Sequence, residues 1–510
     1  MPIRVLAFDA RGEQIQLLER NAIVNQILSR ISAQTSGQTS VADGLALAQD
    51  LSRYAILSHT WIRDTPGDVV FGRWAARNHP AYAEGYSKIA KFCAVAACEH
   101  GLSFGWMDTV CINKDSSSEL DESIRSMYRW YNLAHVCVTY LSQTRGIADI
   151  HKDAWFTRGW TLQELLAPQN PDFESQFSPE LQDRLYPKLY WENDIDMAEY
   201  SLTGLDAHFD HQIPLEIQYQ IFKATTITRS ELMVFRTDPR IVPISRKMQL
   251  AASRKVTREE DKIYSLMGLL GVMLPVAYGE GPQSAFNRLI REIMASKDYF
   301  LDIFNHGSGK RSLIPSSVSD YLNRHAVFDR THLGRETALH RTLPTEPIVW
   351  THLGARITLL LVPAFRKDVY TARIPEESVS QVVGGFSDFH GNNHDYLLLK
   401  DDDFSAQWMQ GLSLDDKHNK LRLHPYIVFF GILNFSTSDG TISIPPKCLA
   451  IPIDPGLGAG SWEVGQVYPT NVELLSGPMV ILWSNSRLQR SIDREQGKRR
   501  GIQIMTLHLK

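Results

Sequence analysis

The side chains of this 510-residue sequence best suited to chemistry are two carboxylates, Asp108 and Glu164, with Ser58, His59, Arg158 and the indoles of Trp61 and Trp160. A carboxylate fixed in a water-poor site stabilises positive charge that develops during a reaction. An indole face stacks on a flat heterocycle, and a guanidinium pairs with a phosphate or with an internal carboxylate. Each residue also has a plainer use. Thr161-x-x-Glu164 is a capping-box pattern, in which the glutamate would satisfy an orphan N–H at a helix start. Asp108 can cap the turn after it, His59 reads as a hydrogen-bonded rim residue, and tryptophans more often fill cores than hold ligands. Cys111 with His59 would invite a thiol nucleophile, but no strand-to-helix nucleophile motif or ordered third partner accompanies them. Without a glycine-rich loop of the P-loop type, neither kinase nor nucleotide-switch chemistry is indicated.

The elements that must position these residues can be read from hydrophobic period. Tyr54 to Ser58 is an apolar, strand-like run, and Tyr86 to Glu99 sets Ile89, Phe92, Cys93, Ala96 and Ala97 on one helical stripe that Gly101 stops. Phe104 to Asp108 predicts a second strand. Ser116-x-x-Glu119 predicts a capping box before a helix whose inner face is Ile124, Met127, Tyr128 and Tyr131, and Val136 to Leu141 predicts a third strand. Strands alternating with helices of this length imply right-handed crossovers and a doubly wound parallel sheet with helices on both faces. Ligands bind such sheets beyond the carboxyl ends of the strands. Here that means Ser58-His59-Thr60, Asp108-Thr109 and the segment just after Leu141.

The rest of the chain divides by composition. Residues 3–8 and 13–18 predict a hairpin about Asp9-Ala10-Arg11-Gly12, and the Ser, Thr, Gln, Ala and Gly of residues 31–44 predict a flexible connection. A helical extension is expected over 210–305. In it, Thr257-x-x-Glu260 suggests a capping box before Ile263, Leu266, Met267 and Leu270, and Pro282 opens a helix with Ala285, Phe286, Leu289, Ile290, Ile293 and Met294 on one face. Residues 306–344 read as a linker. From 345 to 510, apolar runs at 357–362, 396–399, 426–433, 441–444, 480–483 and 502–507 predict a mainly antiparallel β domain. The expected layout is therefore 1–50, 51–209, 210–305, 306–344 and 345–510.

Composition narrows the class further. The chain is 43% hydrophobic and 22% charged, an ordinary globular balance that argues against disorder or a fibrous protein. The opening Met1 to Val5 meets Asp9 and Arg11 before any apolar run forms, so no secretory signal is expected. The most apolar later run, Met267 to Ala277, carries glycines and a proline and is too short to span a bilayer. Five cysteines with no Cys-x-x-Cys pair indicate neither a metal site nor a disulfide framework, and a cytoplasmic location fits best. A net charge of −4 with one basic cluster, Lys498-Arg499-Arg500, argues against nucleic acid.

Three ordered blocks carry a family resemblance. They are Tyr54-Ala55-Ile56-Leu57-Ser58-His59-Thr60-Trp61; Trp106-Met107-Asp108-Thr109-Val110-Cys111-Ile112-Asn113-Lys114, continuing through Met127-Tyr128-Arg129-Trp130-Tyr131 to Ala134; and Trp155-Phe156-Thr157-Arg158-Gly159-Trp160-Thr161-Leu162-Gln163-Glu164-Leu165-Leu166-Ala167-Pro168. Together they resemble the fungal heterokaryon incompatibility (HET) domain. The stretch from Ala252 to Gly268, with Pro275-x-x-Tyr278-Gly279-Glu280-Gly281, is similar to the segment that succeeds the third block in many members. One departure is Ile62, where members often have glycine. A positive φ would be disfavoured there, altering that rim.

The resemblance implies a role in fungal non-self recognition, in which fusion of unlike cells triggers death. It also implies a core similar to a TIR domain, a flavodoxin-like fold some of whose members cleave NAD between nicotinamide and ribose. Glu164 matches the catalytic glutamate of those enzymes, with Asp108 assisting. Ser58, His59, Trp61, Arg158 and Trp160 would then line the site, with NAD as a substrate and no permanently bound cofactor. The rival expectation is a non-catalytic module that assembles with copies of itself or with other HET or TIR-like domains, its β domain meeting a protein partner not specified by sequence.

Overall fold

Tyr54 to Leu57 has no polar side chain to offer solvent except the tyrosine hydroxyl, so its stable place is inside a sheet covered on both faces. The computed structural model puts β3 (Ala55–His59) there, with all five residues buried. The structure describes residues 1–34, 41–62 and 67–168, strands at 187–191 and 200–201, most of 215–323, and from 348 onward chiefly the strands named below. The described chain divides into two compact units, one of residues 1–242 and 253–292, the other of 243–252 and 293–510.

In the first unit β3 runs parallel to β4 (Phe104–Trp106) on one side and to β5 (Val136–Leu141) on the other. β6 (Pro187–Trp191) continues the parallel run beside β5. With the antiparallel strands β1 (Arg4–Ala7), β2 (Gln16–Glu19) and β7 (Tyr200–Ser201), the described residues form a mixed seven-stranded sheet ordered β2-β1-β4-β3-β5-β6-β7. The hairpin expected near the amino end is β1 with β2, paired from Arg4 opposite Glu19 to Ala7 opposite Gln16.

Helices connect the strands. After β2 come α1 (Arg20–Gln34) and α2 (Val41–Leu51), and α3 (Ala83–Cys98) links β3 to β4. α3 buries the predicted stripe of Ile89, Phe92, Cys93, Ala96 and Ala97, with Gly85 and Lys88 beside it. Gly101, at φ +61°, takes the left-handed turn that ends the segment. After the one-turn helix α4 (Asp108–Cys111) comes α5 (Ser117–Leu133), linking β4 to β5. α5 is tied to β3 by Tyr54 Oη donating to Trp130 O at 2.6 Å and Tyr131 Oη donating to Leu57 O at 3.0 Å. Trp106 of β4 meets Trp130 and Tyr131 edge-on, with centroids 5.4 and 6.0 Å apart.

Several expectations need correction. Residues 31–34 and 41–44 are helical rather than a flexible connection, and 35–40 lie outside the described residues. Ala33 and Gln34 continue α1, which buried Ile23 and Ile27 anchor from one turn earlier, and Ala42 with the Ala- and Leu-rich residues that follow carries α2. The second strand stops at Trp106, and Asp108 opens α4, because a carboxylate is favoured at a helix amino end. Ser116 Oγ does accept the Glu119 N–H at 3.4 Å, yet the Glu119 carboxylate does not return the bond; it pairs with Arg4 and accepts the Asn113 N–H at 2.7 Å. A charged partner displaced the local one. Glu260 likewise does not box Thr257: its Oε1 accepts N–H groups of Gly279 and Gly281 at 3.0 and 3.2 Å. The single helix expected after it is two short ones, Asp261–Tyr264 and Met267–Leu270.

Among the described residues, the second unit contains a nine-stranded antiparallel sheet built about the long strand Gly354–Arg366. Beside it lie Val349–Thr351, Asn393–Leu399, Ile427–Ile432 and Gln503–Leu509, and beyond them Val379–Ser387, Lys447–Asp454, Glu473–Leu474 and Val480–Trp483. These strands take up the apolar runs predicted from the sequence, except 441–444, whose strand Thr441–Ser443 belongs to a separate three-stranded sheet. Ala355, Ile357, Leu359, Leu360 and Leu361 are all buried, as expected of a central strand. Most of the expected linker, from 324 on, lies outside the described residues.

Candidate functional site

Successive residues of a strand point to opposite faces. At the carboxyl end of β3, Ser58 and His59 therefore leave the sheet on opposite sides and begin two different polar groups.

On Ser58's side lies α6 (Thr161–Leu166), reached from β5 through turns at Ile147–Lys152 and Ala154–Thr157. Ser58 Oγ donates to Glu164 Oε2 in a short hydrogen bond and accepts the Trp155 Nε1–H at 2.7 Å. Ser58 and Trp155 are fully buried and Glu164 is 8% exposed. Burial pushes the Glu164 carboxyl up to about 8; Asp108 adds to the rise, while Ser58 and Arg158 oppose it. The capping role is not taken: Trp160 occupies the cap position, and the Thr161 hydroxyl donates to Trp155 O at 2.5 Å and Arg158 O at 2.9 Å.

The turn before α6 is clamped by a later segment. Gly159 N–H donates to Lys255 O at 2.9 Å, and Lys255 N–H to Thr157 O at 2.7 Å. A Cβ on Gly159 would stand 2.5 Å from Val256 Cγ1, so with valine at 256 a larger residue here would force one of the two to shift. Arg254 Nη1 donates to Arg158 O at 2.8 Å and to Thr161 Oγ1 at 3.0 Å. Burial lowers the guanidinium to about 10, and the charge of Glu164 opposes that fall.

On the other side, His59 Nε2 lies 3.2 Å from Asp108 Oδ1, and Nδ1 lies 2.9 Å from Lys88 Nζ. Burial and the Lys88 charge hold the imidazole below its ordinary value, so the neutral ring is favoured. One tautomer satisfies both neighbours: Nε2–H donates to Asp108 while Nδ1 accepts from the ammonium. Lys88 Nζ also pairs with Asp68 Oδ1 at 2.5 Å, and Asp68 Oδ2 accepts the Ile62 N–H at 2.7 Å. Trp61 Nε1–H donates to Asp108 at 3.0 and 3.3 Å, and Lys114 Nζ lies 3.5 Å from Asp108 Oδ2. Burial alone would raise the Asp108 carboxyl, but Lys114, His59 and Arg158 together hold it well below the usual carboxylate range.

Ser58, His59, Trp61, Asp108, Arg158 and Glu164 are thus coupled through hydrogen bonds or charge at the ends of β3 and β4. Trp160 is not joined to them; its bonded partner is Asp261, and it packs against the core. Cys111 is buried, with burial pushing its thiol up to about 12, which removes the thiolate a nucleophile needs. Among the described residues no group of His, Cys, Asp or Glu is arranged to hold a metal, and no helix is long and apolar enough to cross a membrane. Lys88, Lys114, Trp155 and Arg254 were not singled out from sequence. Lys88 left a readable signal, a charge on the buried stripe of α3, four residues before Phe92. Arg254 left none, being far along the chain from the groups it touches.

Fold and cluster define an α/β unit that carries charged and hydroxyl side chains at the carboxyl ends of adjacent parallel strands. Residues 54–146 match the family model described as heterokaryon incompatibility protein (HET). That segment includes Ser58, His59, Trp61, Asp108 and Lys114, while Glu164 lies beyond it. The chain is also 38% identical over 255 residues to vegetative incompatibility protein HET-E-1 of Podospora anserina, covering 47% of this chain and 16% of that protein. The chain therefore spans about a sixth of the length of the curated relative it matches. No solved structure matches.

Proposed function

We propose that the unit holding β1 to β7 is a TIR-like effector of fungal non-self recognition that hydrolyses NAD between nicotinamide and ribose, with Glu164 beside the ribose. The HET domain and the relative named for vegetative incompatibility support the biological role. The parallel order β4-β3-β5-β6, with the first strand of the run inside the second and third, is that of flavodoxin-like sheets and supports the TIR-like reading. Such sheets take ligands where the strand order reverses, between β3 and β5, and Ser58 meets Glu164 beside that point.

The observation that carries the reading is the partner of Glu164: its carboxyl is bonded to Ser58, not to its own helix. In the reaction the bond from ribose to the pyridinium nitrogen breaks, and its electron pair goes to that nitrogen. Nicotinamide leaves neutral, positive charge spreads over the sugar, and water adds there and releases a proton. A carboxylate beside the ribose stabilises that charge. Burial raises the Glu164 carboxyl to about 8, and arrival of the pyridinium cation favours its ionised form. Asp108 orients a hydroxyl or water, Arg158 faces phosphate, and Trp61 covers a ring.

The test is nicotinamide release from NAD by purified, artificially clustered protein. Release by the wild type that falls at least ~100-fold in Glu164→Gln supports the reaction; no release, or release untouched by the substitution, removes it. Assembly without catalysis is the second reading. It draws on Val24, Leu28 and Leu45, apolar side chains of α1 and α2 exposed by 43, 54 and 60%. Clusters that form and never release nicotinamide would favour it.

A further inference from the structure

Lys114 is placed unlike an ordinary surface lysine. Its ammonium lies 3.5 Å from the centroid of the Trp61 ring and 3.5 Å from Asp108 Oδ2, so it sits between an indole face and a carboxylate. The indole is held in that attitude by its own N–H, which donates to Asp108. Asp108 is fixed in turn by His59, and His59 by Lys88. A carboxylate at the edge of an aromatic face, both oriented by buried groups, is an arrangement that binds cations, and most strongly those that lose little water on entry. An aliphatic ammonium is strongly hydrated. A flat aromatic cation keeps less water and covers more of the indole.

We infer that Trp61 and Asp108 form a subsite for a flat aromatic cation, and that the Lys114 ammonium, held between them, is an internal competitor for it. Trp61 remains 38% exposed, so a ligand can reach the ring by displacing one side chain. The other charged groups around Lys114 set the balance of that displacement: Arg158 repels it, while Asp68 and Asp108 attract it. Identifying the cation as the pyridinium ring of NAD rests on the proposed function. The subsite then distinguishes the oxidised dinucleotide, whose ring is charged, from the reduced one, whose ring is neutral. It also loses its hold on nicotinamide once cleavage has discharged the ring.

The experiment is a calorimetric titration of the full chain with the pyridinium-methylated nicotinamide cation and with neutral nicotinamide. The wild type is expected to prefer the cation. Lys114→Met should bind the cation roughly fivefold more tightly with little change for the neutral compound. Adding Trp61→Leu should abolish that gain, whereas adding Trp61→Phe should keep part of it and shows that the fold tolerates change at this position. Equal affinities for the two compounds, no gain in Lys114→Met, or a gain that survives Trp61→Leu would overturn the inference. Charge preference without any NAD hydrolysis would retain the subsite and remove the proposed reaction. Hydrolysis without charge preference would do the reverse.

Discussion

Ser58 and Glu164 lie 106 positions apart, and one hydrogen bond joins them in a setting that burial makes costly for charge. The folded carboxyl titrates near 8 against an ordinary value of 4.5, so between those pH values the folded chain binds more protons here than the unfolded one. Stability attributable to this group therefore falls as pH rises from about 4.5 to 8. Glu164→Gln removes the penalty: its melting temperature, relative to wild type, should climb between pH 5 and pH 8, and a difference flat with pH would contradict the titration. Ser58→Ala deletes a donor that favours the ionised form. The lower-pH limb of nicotinamide release should then move to higher pH, as a rate profile of the two proteins would reveal. The sequence marked both residues as candidates but not their contact. Strand alternation put Ser58 and His59 on opposite faces, whereas the choice of Glu164 partner depended on a turn clamped by a segment far downstream, at Arg254 and Lys255.

Elements were legible where one period ran unbroken. β5 has the predicted limits and α3 buries the stripe read for it; α5 buries Ile124, Met127 and Tyr131 of its stripe together with Trp130, while Tyr128 is half-buried. Capping boxes were the weak readings. At Glu119, Glu164 and Glu260 the carboxylate found a partner outside the pattern, since a local box competes poorly with a buried arginine, a buried hydroxyl or two free N–H groups of a turn. The junction of α6 with the segment at 254–256 is the element most exposed to single changes. Gly159→Ala should destabilise the unit by about 1–3 kcal/mol in denaturant unfolding, and Val256→Ala should restore part of that loss by vacating the space the new methyl needs. Equal destabilisation in the presence and absence of Val256→Ala would show that the close approach is not the reason for glycine there.

At the scale of the whole molecule, the sequence separated an α/β part from a β-rich part through the switch from helical spacing to short apolar runs. It did not mark that Pro243 to Ala252 belongs to the second unit. The helix Ile244–Ala252 buries Ile244, Met248, Leu250 and Ala251, and Gln249 Nε2 donates to Leu322 O at 3.1 Å. A chain ending at 323 should therefore resist proteolysis around this helix better than one ending at 305, which lacks the turn Val318–Tyr321; equal resistance would contradict that dependence. The proposed reaction places one carboxylate against one sugar. Its most direct test is a structure of Glu164→Gln soaked with NAD. The expected result is the nicotinamide-side ribose in contact with residue 164 and Ser58, with the pyridinium ring on Trp61. A dinucleotide bound elsewhere, with these side chains still closed on one another, would contradict it.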